Sequence, residues 1–84
     1  MAKLSFGLFG YRFNTDDRWL SYKSAYGKSF RVRKADIESV SLDEGGRGKS
    51  KLRINGRGTV LAEIELPRPW AEKTQEFIYR EIES

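Results

Sequence analysis

The sequence predicts a mainly β domain: a strongly bent antiparallel sheet or partly open barrel of six to seven strands, capped by one C-terminal α-helix. Three observations carry this. Apolar residues recur with a period of two almost everywhere up to Leu66, the mark of half-buried strands. Pro67 and Pro69 then interrupt the pattern, and from Trp70 onward the period becomes helical. The chain has 84 residues, and one this short buries only about 60–65% of its unfolded surface, so residues 1–84 are read as a single domain with one core.

In order, Leu4, Phe6, Leu8 and Phe9 form an apolar run near the start. It predicts a further strand of the same sheet or, if left uncovered, an exposed arm serving as an interface. Tyr11 and Phe13 alternate with Arg12 and Asn14. Turn chemistry follows at Asn14-Thr15-Asp16-Asp17, and then Leu20 and Tyr22 alternate with Trp19, Ser21 and Lys23, so the two segments read as a hairpin. Ala25-Tyr26-Gly27 supplies the next turn. Phe30 and Val32 then point one way while Ser29, Arg31 and Arg33 point the other. Ile37 to Leu42 is strand-like, yet Ile37 is out of phase with Val40 and Leu42, which predicts a bulge or bend near Glu38-Ser39. Asp43 to Ser50 reads as a glycine-rich loop. Leu52 and Ile54, the turn signal Asn55-Gly56, and Val60, Ala62, Ile64 and Leu66 complete a second hairpin. The closing helix, about residues 69–83, carries Trp70, Thr74, Phe77, Ile78 and Ile82 on one stripe.

Composition removes many chemistries. The chain has no Cys and no His, which excludes thiolate zinc sites, disulfides, Cys nucleophiles, Ser-His-Asp triads and imidazole metal sites. No cofactor or metal is expected. Asp16-Asp17 and Asp43-Glu44 are paired carboxylates, but both fall at turns, where such pairs terminate hairpins and offer too few ligands for a cation. Gly46-Arg47-Gly48-Lys49-Ser50 has the ending of a phosphate loop. However, Asp43 occupies the position of the required glycine, and the residues after Ser50 alternate like a strand instead of opening a helix. The first ten residues are too mixed for a secretory h-region and no stretch approaches the roughly 20 apolar residues of a membrane span, so a cytoplasmic setting is expected.

Two stretches resemble a known family. Tyr11-Arg12-Phe13-Asn14-Thr15-Asp16-Asp17-Arg18-Trp19-Leu20, followed by Phe30-Arg31-Val32-Arg33-Lys34-Ala35-Asp36-Ile37-Glu38-Ser39-Val40, is similar to the hairpin and following strand of bacterial pleckstrin-homology-like (PH-like) domains. Lys34 departs from that pattern, standing where proline is usual. The resemblance implies a small barrel closed by a C-terminal helix, and a role in assembly. In members that bind inositol phosphates, a lysine followed at a distance by a basic-x-Arg triplet holds the phosphates; Lys23 with Arg31-Val32-Arg33 resembles it.

Charge is unevenly spread. Residues 1–34 carry eight cations against two carboxylates, 35–44 four carboxylates and no cation, and 45–68 six cations against two carboxylates. Arg31 and Arg33 share one strand face and Lys51 and Arg53 another, so adjacency of those strands would gather four cations, flanked by Lys23 and Lys28. A nucleic-acid reading uses the same cations with Trp19, Tyr26 or Tyr11 as stacking rings. The sequence thus reads as a non-catalytic binding or assembly module that engages a protein partner or its own copy. The alternative is an anionic membrane surface, a phosphate-bearing ligand or a nucleic acid held through the basic strand face.

Overall fold

The computed structural model describes residues 2–6, 11–24 and 29–83, with side chains for all of these except Ala2 and Phe6. Seven strands and one helix follow in order: β1 Ala2–Phe6, β2 Tyr11–Thr15, β3 Trp19–Lys23, β4 Ser29–Arg33, β5 Ser39–Glu44, β6 Lys49–Asn55, β7 Val60–Pro67 and α1 Arg68–Glu83. They form two antiparallel sheets, β1-β2-β3-β4 and β5-β6-β7, with no hydrogen-bonded closure between them. The bent arrangement expected from the sequence is therefore two sheets and a helix, not a closed barrel. One helix and one core unite them, and no helix among the described residues is long and apolar enough to cross a membrane.

Alternation decides which side of each strand is buried. In the first sheet, Leu4, Phe13, Tyr22 and Phe30 stand opposite one another as a row across all four strands, and Thr15, Leu20 and Val32 form the next row. Ring stacking reinforces the first: Phe13 and Tyr22 lie 4.7 Å apart and Tyr22 and Phe30 5.1 Å. Tyr11 extends the group, edge-on to Trp70 of α1 at 5.8 Å. The second sheet contributes Val40, Leu52, Ile54, Ile64 and Leu66, and the helix contributes Ala71, Phe77 and Ile78. Thr74 is also fully covered, its hydroxyl satisfied by donating to the Trp70 carbonyl at 2.8 Å.

Three expectations are corrected. Ile37 is not part of the strand and no bulge is needed: a 3-10 turn at Lys34–Asp36 precedes it, β5 begins only at Ser39, and Ile37 reaches the core from the bend between them, outside the strand's alternation. Val60 does not face inward. The β6–β7 register shifts between Ile54 and Asn55, so Val60 emerges 49% exposed while Leu61 turns to pack against Gly56. A Cβ on Gly56 would lie 2.9 Å from the Leu61 side chain, which is why glycine occupies that turn. Finally, the expected eight-residue loop shrinks to Gly45–Gly48, because β5 continues through Glu44 and β6 starts at Lys49.

Among the described residues no strand pairs with the outer edge of β5, and α1 supplies partners for Val40 there. The Val40 amide donates to the Tyr79 hydroxyl at 2.8 Å, while the Val40 carbonyl accepts from Gln75 Nε2 at 2.7 Å and Tyr79 Oη at 3.1 Å. This both docks the helix and blunts the edge. Replacing Tyr79 with Phe leaves the Val40 amide unpaired, so Tyr79→Phe is expected to lower urea stability by about 1–3 kcal/mol and to speed hydrogen exchange at Val40.

Tyr22 provides a pH signature of the core. Burial, with a smaller push from Tyr11 and against a hydrogen bond with Ser24, drives its phenol up to about 12. A raised folded-state pKa gives stability that is complete below the ordinary tyrosine value of about 10 and lost as pH climbs toward 12. Urea titrations across that window are expected to show a loss on the order of 2 kcal/mol that Tyr22→Phe removes.

Candidate anion-binding face

The same alternation that buries the aromatic row sends every other residue of the first sheet outward. Trp19 and Arg33 stand opposite one another at one end; Lys3, Asn14, Ser21 and Arg31 form the next row; Ser5, Arg12, Lys23 and Ser29 form the third. Five of these are cations: Lys3, Arg12, Lys23, Arg31 and Arg33, all exposed. None of the residues of β1, β2, β3 or β4 is Asp or Glu. Among the described residues, no carboxylate forms an ion pair with any of the five. Arg12 and Lys23 are directly opposed, a like-charge juxtaposition that destabilises an antiparallel pair.

At the Trp19 end, two guanidinium groups lie against the indole. Arg31 Cζ is 4.4 Å from the ring centroid and Arg33 Cζ is 5.6 Å, both within cation–π range. Asp16 fixes the turn beneath them. Its carboxylate accepts from the Arg18 and Trp19 amides, each at 2.8 Å, and its own amide donates to the Trp19 carbonyl at 3.1 Å. Lys34 ties the turn to the end of β4, its amide donating to the Arg18 carbonyl at 2.8 Å and its ammonium to the Asp16 carbonyl at 3.0 Å.

The second sheet solves the same charge problem in the opposite way. Arg53, in the central strand β6, donates to Asp43 of β5 at 2.9 Å and to Glu63 of β7 at 2.8 Å. Lys51 stands opposite Asp43 on one side and Glu65 on the other. The hydrogen bond from Arg53 holds Glu63 below the ordinary carboxylate value, and that carboxylate in turn raises Arg53. This face is internally neutralised.

The predicted basic residues therefore separate. Lys23, Arg31 and Arg33 share the first sheet's outer face, joined by Lys3 and Arg12, which the sequence reading did not single out. Lys51 and Arg53 lie in the other sheet, because β4 is an edge of one sheet and β6 the centre of the other. Lys28, Leu8, Phe9 and Tyr26 lie outside the described residues, as does the side chain of Phe6. The arm alternative does not hold for β1, whose backbone pairs with β2 and whose Leu4 packs against the core. Tyr11 is likewise not a stacking surface, being engaged with Tyr22 and Trp70.

Other candidate centres resolve into structure. The Gly46 amide, which a phosphate loop would offer to its ligand, donates instead to Glu65 Oε1 at 3.0 Å. An open cleft of about 290 Å³ beside the Trp19 turn is lined by Asp17, Arg18, Arg33 and Ala35, so Asp17 flanks Arg33 at this end of the basic face. Among the described residues, no three potential metal ligands come together. No protein-family model matches the chain, and neither does any curated protein or solved structure.

Asp16 is expected to make the turn acid-sensitive. The amide hydrogen bonds from Arg18 and Trp19, helped by the charges of Arg31 and Lys34, hold its pKa below the ordinary 3.8. A depressed folded-state pKa gives stability present above that value and lost as pH falls through the lowered one. Asp16→Asn should therefore flatten the acid limb of the stability curve, read as urea midpoint against pH.

Proposed function

We propose that this protein is a non-catalytic PH-like module that binds a polyanionic ligand on the outer face of the first sheet. One observation carries the reading: five cations share a face whose four strands contain no carboxylate, while the adjoining sheet of the same small domain pairs its own cations across strands. Like charges opposed across strands, as Arg12 and Lys23 are here, weaken the pairing. What the face offers is attraction of anions, which steers and holds a charged partner. A helix after the last strand is in keeping with the closing helix that the PH-like resemblance implies. The assembly reading rests on the N-terminal apolar run, of which Leu4 packs inward.

Titration with inorganic polyphosphate across a salt series tests this. Arg31→Ser with Arg33→Ser is expected to weaken binding about tenfold or more and to reduce the slope of log K against log salt by roughly 1.4, two phosphate contacts' worth. Lys51→Ser with Arg57→Ser removes the same charge from elsewhere and should leave binding near wild type. Equal losses in the two double variants would reduce the effect to net charge and overturn the proposal.

A further inference from the structure

Within that basic face we infer that the ligand is a single-stranded nucleic acid, with the Arg31–Trp19 stack as the platform for one base; the inference rests on the polyanion reading above and narrows it. The first ground is the pairing of ring and charge. Trp19 is the only aromatic side chain among the described outward residues of this sheet, and it stands at the end of the cation rows. Arg31 lies 4.4 Å over it and Arg33 5.6 Å. Bases stack on arginine planes as they do on aromatic rings, and both kinds of group meet here.

The second ground is spacing. Outward residues along one strand repeat at about 6.8 Å and neighbouring strands at about 4.8 Å, so Arg31, Lys23 and Arg12 track away from Trp19 across the sheet as a stepped line of cations. Between them stand Asn14 and Ser21, which hydrogen-bond without adding charge. A backbone following these three cations can turn one base onto the platform.

The third ground is the form of nucleic acid that the platform suits. A duplex offers its phosphates but keeps its bases stacked, leaving the Trp19 platform without a role.

The test compares three probes on the full chain: a fluorescein-labelled oligouridylate of about 12 nucleotides, inorganic polyphosphate, and vesicles of phosphatidylserine with phosphatidylcholine. Two variants are measured, Trp19→Leu and Arg31→Lys, the second keeping the charge but losing the plane. Each is expected to weaken oligouridylate binding about tenfold, with polyphosphate affinity changed by less than about twofold. Circular dichroism checks that both fold, and Arg31→Lys keeps the test open if Trp19→Leu does not. Parallel losses for both probes, or none, overturn the base platform while salt-dependent polyphosphate binding still upholds the polyanion reading. Wild-type protein that prefers vesicles to the oligonucleotide overturns nucleic acid in favour of a membrane. No binding to any probe overturns both readings.

Discussion

The register of the first sheet depends on one buried row, Leu4–Phe13–Tyr22–Phe30, and the basic face exists because that row is buried. Side chains alternate with a period of two, so a slip of one residue in any strand would carry its cations into the core and its rings into water. Ionised Arg or Lys side chains without partners are among the most costly groups to desolvate. The charges that make the outer face a candidate binding surface therefore also guard the pairing that creates it. Core and surface are two sides of one constraint.

The two sheets treat charge differently for a reason visible in their neighbours. In the second sheet, β6 lies between strands that supply Asp43, Glu63 and Glu65, so its cations meet carboxylates on both sides. In the first, no neighbour supplies one. Exposed ion pairs contribute little to stability, usually under about 1 kcal/mol each. Losing them on one sheet is thus a modest penalty, easily offset by the shared core, and leaves a field free to act on an external anion.

The helix completes both sheets. Through Tyr79 and Gln75 it provides the hydrogen bonds that β5 lacks on its open edge. At its far end Glu81 accepts a hydrogen bond from the buried Thr15 hydroxyl of β2 at 2.7 Å, so the one element reaches across both sheets. Trp70, at its start, meets Tyr11. The helix thus ties both sheets to one core beneath the basic face.

Local rules were enough for the described strands, the turns after Thr15 and at Asn55-Gly56, the helix after Pro67 and the outward direction of Lys23, Arg31 and Arg33, because alternation and turn chemistry are properties of neighbouring residues. The same rules misassigned Val60 and Ile37, where a register shift and a 3-10 turn reset the phase by backbone geometry that no period reveals. Which strands become neighbours was beyond them as well: the separation of Arg31 from Arg53, the joining of Lys3 and Arg12 to the basic face, and the clamp of Tyr79 on Val40 link residues far apart in the chain. Those pairings were decided by how two sheets and a helix could together shield one core from water, a condition set by the whole molecule.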